Sequence, residues 1–279
     1  MRKKLKDLLI ENNINKNYFN NKIYFNDKKN LKKIIENIYN NLDIQKNTFH
    51  SLSKKFILDF NKSDLKKYTK YKSVILIGMG GSVLGAQAIY SFLEKKIKKD
   101  FIFIDNLDQL KIEKIKQKTN LNNNLFIIIS KSGNTIETLI NTNLFQNNIN
   151  SKNSIIITEQ KKSSLSIFAK KKKILHINHK NYIGGRYSVL SEVGMIPAYF
   201  MNLKINDFRK NLLTFFKPTH STVIFESIIK LAHIYNAKKI RSIVLLNYAP
   251  QLNKFLFWCQ QLIAESLGKE ERGILPFVS

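Results

Sequence analysis

Leu125-Phe126-Ile127-Ile128-Ile129-Ser130-Lys131-Ser132-Gly133-Asn134-Thr135-Ile136-Glu137-Thr138 decides how this chain is read. Its first five residues form a short apolar run, rich in isoleucine, of the kind that makes a parallel strand buried on both faces. From Ile136 to Phe145 the apolar spacing suits a helix. Between them lies a loop dense in hydroxyls, with one glycine. Such a strand–loop–helix junction aims Ser130, Ser132 and Thr135, together with free backbone N–H groups, at one point, which makes a cradle for an anion such as phosphate. A second reading is a helix cap, with Asn134 at the N-cap and Glu137 at the third helical position. Capping accounts for those two residues and leaves Ser130, Lys131 and Ser132 unexplained.

Working outward, Val74–Ile77, Phe101–Ile104, Leu125–Ile129, Ser154–Ile157 and Ile174–Ile177 are short apolar runs. Helical stretches separate them: one after Gly85 through about Lys96, and others at about 107–117, 135–147 and 163–170. Strands alternating with helices at this spacing predict a three-layer α/β sandwich, a five-stranded parallel sheet covered on both faces. The expected strand order is the flavodoxin-like 2-1-3-4-5, which makes the first and third strands neighbours and brings their loops into one crevice. Residues 1 to about 70 read as a helical extension, with a stripe over Asn30–Tyr39 and a weaker one over Ser53–Phe60. Further on, helices at about 188–200, 205–216 and 221–236 lead to a strand over Arg241–Leu246. Pro250 then opens a helix that Gly268 stops. This predicts three parts: the extension at 1–70, an α/β domain at 71–203, and the start of a second, incomplete α/β domain at 204–279.

Gly78-Met79-Gly80-Gly81-Ser82-Val83-Leu84-Gly85 follows the first strand. The dinucleotide fingerprint needs a glycine where Val83 stands, although Asp105 occupies the place of a ribose-binding acid. The nucleotide-hydrolase phosphate loop needs Gly-Lys-Ser/Thr, and Ala86-Gln87 follow Gly85 instead. What remains is a loop whose glycines let backbone approach a small ligand, beside the Ser82 hydroxyl. Gly184-Gly185-Arg186 is a tight turn that presents a planar, permanent cation, either to a ligand or to solvent. Glu265 lies four residues after Gln261 and seven after Trp258, on the same helical face, either as a functional carboxylate or as a solvated one. His176 and His179 have no nearby cysteine or acid partners, so no metal site is expected.

Composition narrows the classes. With 43% hydrophobic residues, 19 Phe and 11 Tyr, the chain is globular rather than disordered. No apolar run approaches the roughly 18 residues of a membrane span. The basic start is closed by Glu11 after a short apolar portion and does not read as a secretory signal. Cys259 is the sole cysteine, which suits a reducing cytoplasm. A net charge of +27 could mean nucleic-acid binding. The lysines are spread along the whole chain and rise with asparagine and isoleucine, so a solvated basic surface without a specific nucleic-acid partner is the better account.

Four segments resemble, in order, the motifs of the glucose-6-phosphate isomerase family: Gly78 to Gly85, Ser130 to Thr138, Gly184-Gly185-Arg186-Tyr187-Ser188 and Ala264-Glu265-Ser266-Leu267-Gly268-Lys269. The second alone marks the wider sugar-isomerase domain family. The likeness covers about 70 to 279. It implies interconversion of glucose 6-phosphate and fructose 6-phosphate through an enediolate, in glycolysis and gluconeogenesis, without cofactor or metal. By the same resemblance Gly81, Ser82, Ser130, Lys131, Ser132 and Thr135 hold the sugar phosphate, Arg186 stabilises the enediolate, and Glu265 moves the proton between C1 and C2. It also implies a cytoplasmic homodimer. The family continues beyond the point where this chain ends, supplying a ring-opening histidine, a lysine and the rest of the second domain, so the chain is expected to be an N-terminal part. A related phosphosugar isomerase or a non-catalytic phosphosugar-binding module would share the Ser130–Thr138 loop without needing the arginine and glutamate motifs.

Overall fold

The computed structural model describes residues 2–5, 8–11, 13–15, 21–44, 46–118, 121–216, 218–237, 240–270 and 272–279. The main sheet consists of β3 (Ser73–Gly78), β4 (Asp100–Ile104), β5 (Asn124–Ile129), β6 (Ser154–Thr158) and β7 (Leu175–Asn178). All pairings are parallel, in the order β4-β3-β5-β6-β7, which is the expected 2-1-3-4-5. The crossovers are α3 (Leu84–Leu93), α4 (Gln109–Lys118), α5 (Ile136–Leu144) and α6 (Ser164–Lys171).

Strand alternation sorts the core into two layers, because successive side chains point to opposite faces. Val74, Leu76, Leu125, Ile127, Ile129, Ile155 and Ile157 face one way, onto Val83 and Ala86 of the α3 region and onto α7 (Glu192–Phe200) through Val193, Ile196 and Phe200. Ile75, Ile77, Ile104, Phe126, Ile128 and Ile156 face the other way, onto Ile112 and Ile115 of α4, Phe145 after α5, and Leu165 and Ala169 of α6. Leu125 through Ile129 are completely buried. A side chain of this size, fully buried, stabilises the fold by about 1.5–3 kcal/mol.

The N-terminal part departs from the expected helical extension. β1 (Arg2–Leu5) and β2 (Leu8–Glu11) pair as an antiparallel hairpin, and only α1 (Asn21–Asn41) carries the predicted 30–39 stripe as a long helix. Ser53–Phe60 is not a helix. Local side-chain bonds compete with helix formation there: the Lys55 amide donates to Ser53 Oγ at 2.9 Å, and Ser53 donates to Asp43 at 2.5 Å. The segment instead straps onto α7 and β7. The Asp59 amide donates to Glu192 at 2.7 Å, and its carboxylate accepts from the Asn178 amide at 2.9 Å. A short α2 (Lys62–Lys66) then delivers Leu65 and Tyr68 to the core.

Three other boundaries are corrected. The helix expected from Ser188 is a 3-10 turn over Gly185–Leu190 followed by α7, which starts after Ser191 caps it. The helix expected at 205–216 breaks into α8 (Ile205–Arg209) and a 3-10 turn at Leu212–Phe216, with Asn211 at a positive φ of 64° between them. Pro250–Leu252 is likewise a 3-10 turn ahead of α10 (Asn253–Leu267). After α9 (Pro218–Asn236), β8 (Ser242–Leu245) pairs in parallel with a strand that was not expected, β9 (Leu275–Val278). Pro276 obscured it, since proline has no N–H to give to a ladder and is tolerated only at an edge. Val244, Leu275 and Phe277 of this small sheet are exposed.

Ile127→Ala should lower unfolding stability by about 2–5 kcal/mol, because it empties a site in the middle strand. Urea titration followed by circular dichroism measures it, and the change should appear in the midpoint with the slope unaltered.

Candidate functional site

β3 and β5 are in register to their ends, Gly78 opposite Ile129, so the loops that leave them start side by side. The β5–α5 loop is the hydroxyl cluster the sequence suggests. Ser130 Oγ lies 2.9 Å from Thr135 Oγ1, and Ser132 Oγ 3.4 Å from the same atom. Ser130 and Ser132 each also accept from a backbone amide of the loop, those of Gly133 and Asn134. Gly133 sits at a φ of +69°, where a Cβ would overlap the Ser163 hydroxyl. Glycine is thus required to close this turn.

Two details differ from expectation. The N-cap position of α5 belongs to Thr135, not Asn134, and Glu137 is the second helical residue. Asn134 instead reaches across to accept from the Ser164 amide at 2.9 Å. The Lys131 ammonium turns toward Glu159, 3.9 Å away, and Glu159 also holds Lys161 at 2.5 Å.

The β3 loop bends through a 3-10 turn at Gly80–Ser82, and its next neighbour is the Gly184–Arg186 turn. A Cβ on Gly81 would overlap the Gly185 carbonyl and lie 2.7 Å from the Arg186 amide nitrogen. Ser188 Oγ bonds both Gly185 O (2.6 Å) and Gly81 O (3.3 Å), tying the two turns together. Ser82 is half-buried, and its hydroxyl holds no hydrogen bond among the described residues.

Arg186 meets Glu265 here, although 79 residues separate them: Nη1 donates to Glu265 Oε2 at 3.3 Å. The other carboxylate oxygen accepts from Gln261 Nε2 at 2.6 Å. Trp258 Nε1 donates to the Arg186 carbonyl at 3.0 Å, so one face of α10 carries Trp258, Gln261 and Glu265 onto the arginine turn. Glu265 is half exposed. The structure thus gathers Gly81, Arg186 and Glu265 in one cluster, and the register of β3 and β5 sets Ser130 to Thr135 beside it. Ser266 and Tyr187, which sequence reasoning passed over, belong to the same cluster.

Asp105 lies at the end of β4. Burial pushes its carboxyl up, but the Gln87 amide at 2.7 Å and the Lys111 ammonium at 3.3 Å more than offset this and hold it below the usual carboxylate range. His176 donates from Nε2 to the Thr158 carbonyl at 3.1 Å, and His179 is buried, its imidazole held below the ordinary value by burial and then by Lys131. Among the described residues no group of three or more His, Cys, Asp or Glu could hold a metal ion, and no helix is long and apolar enough to cross a membrane. Burial raises the Cys259 thiol.

The phosphoglucose isomerase family model matches residues 27–273. The chain belongs to that family. It is 34% identical over 232 residues to glucose-6-phosphate isomerase of Methanocaldococcus jannaschii, a match covering 80% of this chain and 57% of that one. It is 30% identical over 297 residues to the enzyme of the same name from Aster yellows witches'-broom phytoplasma, covering 88% and 68%. This chain therefore spans just over half the length of the M. jannaschii relative. The fold is similar to that of a hypothetical protein of Thermus thermophilus, with a TM-score of 0.70 at 22% identity over 92% of this chain and 66% of that one.

Two outcomes are expected. Gly81→Ala should drive the arginine turn away from the β3 loop and lower the melting temperature, which differential scanning calorimetry would detect. Asp105 has a folded value below its unfolded one, so its stabilisation is present above the unfolded carboxylate value of about 3.9 and is lost as pH falls through the folded value. Asp105→Asn should therefore be less stable than wild type at pH 7, with the difference vanishing in acid. A gap that grew on acidification would contradict the assignment.

Proposed function

We propose that this chain carries the phosphosugar site and the proton-transfer pair of an aldose–ketose isomerase that interconverts glucose 6-phosphate and fructose 6-phosphate. The observation that carries the reading is the Arg186–Glu265 pair at 3.3 Å, on a turn packed against the β3 loop, with the hydroxyl-lined loop leaving the neighbouring strand end. In this reading Glu265 takes the proton from C2 of the open-chain aldose, and the electrons of that C–H bond form the C1–C2 double bond of an enediolate. The proton returns to C1 while the hydroxyl proton of O2 passes to O1, leaving the C2 carbonyl of the ketose. Carboxylates do such work when held where the proton leaves, and Gln261 holds Glu265 by its second oxygen. Arg186 faces the charge that develops on oxygen, where a fixed cation favours the transition state over the ground state.

The phosphate belongs at the Ser130, Ser132 and Thr135 hydroxyls with Gly81 and Ser82 opposite. The Lys131 ammonium contributes from its position against Glu159 as a nearby charge. Residues 1–70, 71–203 and 204–279 serve as an extension, a first sugar-isomerase domain and the start of a second. The full-length protein is a cytoplasmic homodimer in this reading, with no metal or nucleotide cofactor.

Glucose 6-phosphate or fructose 6-phosphate should raise the melting temperature of this chain, while unphosphorylated glucose should not. Equal shifts from sugar and sugar phosphate would remove the phosphate cradle. Ser130→Ala with Thr135→Ala should weaken the shift. For catalysis, the chain is joined to the remainder of a full-length relative and C2 proton exchange is followed in deuterated water. Glu265→Gln should cut exchange by about 10²–10⁴-fold, the usual worth of a general base, with sugar-phosphate affinity nearly intact. Wild-type exchange in that variant would sink the assignment.

A further inference from the structure

Two groups converge on one hydroxyl next to Glu265. Arg186 Nε donates to Ser266 Oγ at 3.0 Å, and the Tyr187 hydroxyl lies 2.9 Å from the same oxygen. The Arg186 guanidinium also lies over the Tyr187 ring, its carbon 4.6 Å from the centroid. A guanidinium has five N–H groups in one plane. Here Ser266 takes the Nε donor, Glu265 takes one Nη1 donor, and the Tyr187 ring covers one flat face. The plane and its remaining donor edge are thereby fixed. Ser266 follows Glu265 directly on α10, so arginine and carboxylate are both referenced to the same helical turn.

We propose that Ser266, backed by Tyr187, is a positioning residue for the isomerase centre: its hydroxyl holds the Arg186 plane relative to Glu265, so that the free donor edge meets the oxygen on which enediolate charge develops. This rests on the isomerase reading above. A long arginine side chain left to itself samples many rotamers. A pre-set donor stabilises developing charge without reorganising at the moment of reaction. The ground-state sugar has no such charge, so loss of the Ser266 hydroxyl should fall on the enediolate and hardly on the substrate. The Tyr187 phenol reports on the same contact. Burial pushes it up, but the hydrogen bond with Ser266, then Arg186 and the Lys269 charge, draw it below its ordinary value.

The test uses this chain and two probes in calorimetry: fructose 6-phosphate, and an aldonohydroxamate 5-phosphate whose planar anionic end mimics the enediolate. Ser266→Ala should lose about tenfold or more in hydroxamate affinity, comparable to the low end of what removing an outer-shell partner costs at metal sites, and little for fructose 6-phosphate. Ser266→Thr keeps the hydroxyl and should recover most of the loss. Tyr187→Phe keeps the ring and should show a smaller loss of the same kind; it also serves if Ser266→Ala does not fold. The Tyr187 phenol, read as the ultraviolet titration difference between wild type and Tyr187→Phe, should move to higher pH in the Ser266→Ala background. Unchanged hydroxamate affinity, or equal losses for both probes, overturns the positioning role and leaves the isomerase reading standing. Wild-type protein that binds neither probe overturns the isomerase reading, and this role with it.

Discussion

The in-register pairing of β3 with β5 is the constraint on which the rest depends. Because Gly78 stands opposite Ile129, the two chains leave the sheet at the same height and side by side. A slip of one residue would turn every side chain of β5 to the wrong layer. Both layers are apolar, with Leu125 through Ile129 fully buried, so the register is held by the whole core. The hydroxyl loop and the glycine loop take their positions from a strand pair that cannot shift without emptying both faces.

From that pair the site is built outward through close backbone approach. The β3 loop lies against the Gly184–Arg186 turn where no side chain could intervene, and Ser188 stitches the two. That turn presents Arg186 to α10. α10 in turn brings Trp258, Gln261, Glu265 and Ser266, each with a separate hydrogen bond to or beside the arginine. Charge, hydroxyl and amide groups thus meet on three segments that have no contact in sequence. Each is held by partners outside the Arg186–Glu265 pair.

Much of this was legible in the sequence for a physical reason. Parallel strands buried on both faces must be unbroken apolar runs, and all five were visible as such, along with their order. The strand β9 was hidden by Pro276, and Ser53–Phe60 gave a weak helical stripe that Ser53, Asp43 and Asp59 override by side-chain bonds. Asn134 looks like a cap because of its type and spacing, yet it is used to pin Ser164. Lys131 looks free to face the loop, and Glu159, 28 residues on, draws its ammonium aside. Ser266 and Tyr187 carried no periodic signal, since their contact spans 79 residues. Their only trace was adjacency to Glu265 and Arg186.

That same spread in sequence governs when the site can come into being. The Gly81, Arg186 and Glu265 segments meet only after α10 has been made, and contacts of such long sequence separation form late because loop closure precedes their reward. During synthesis, which proceeds from the N-terminus, the five-stranded sheet can close while the arginine turn still lacks Ser266 and Trp258 to hold it. The hydroxyl loop can therefore form well before Glu265 arrives, and a growing chain passes through a stage with the Ser130–Thr135 cluster in place but no carboxylate beside Arg186.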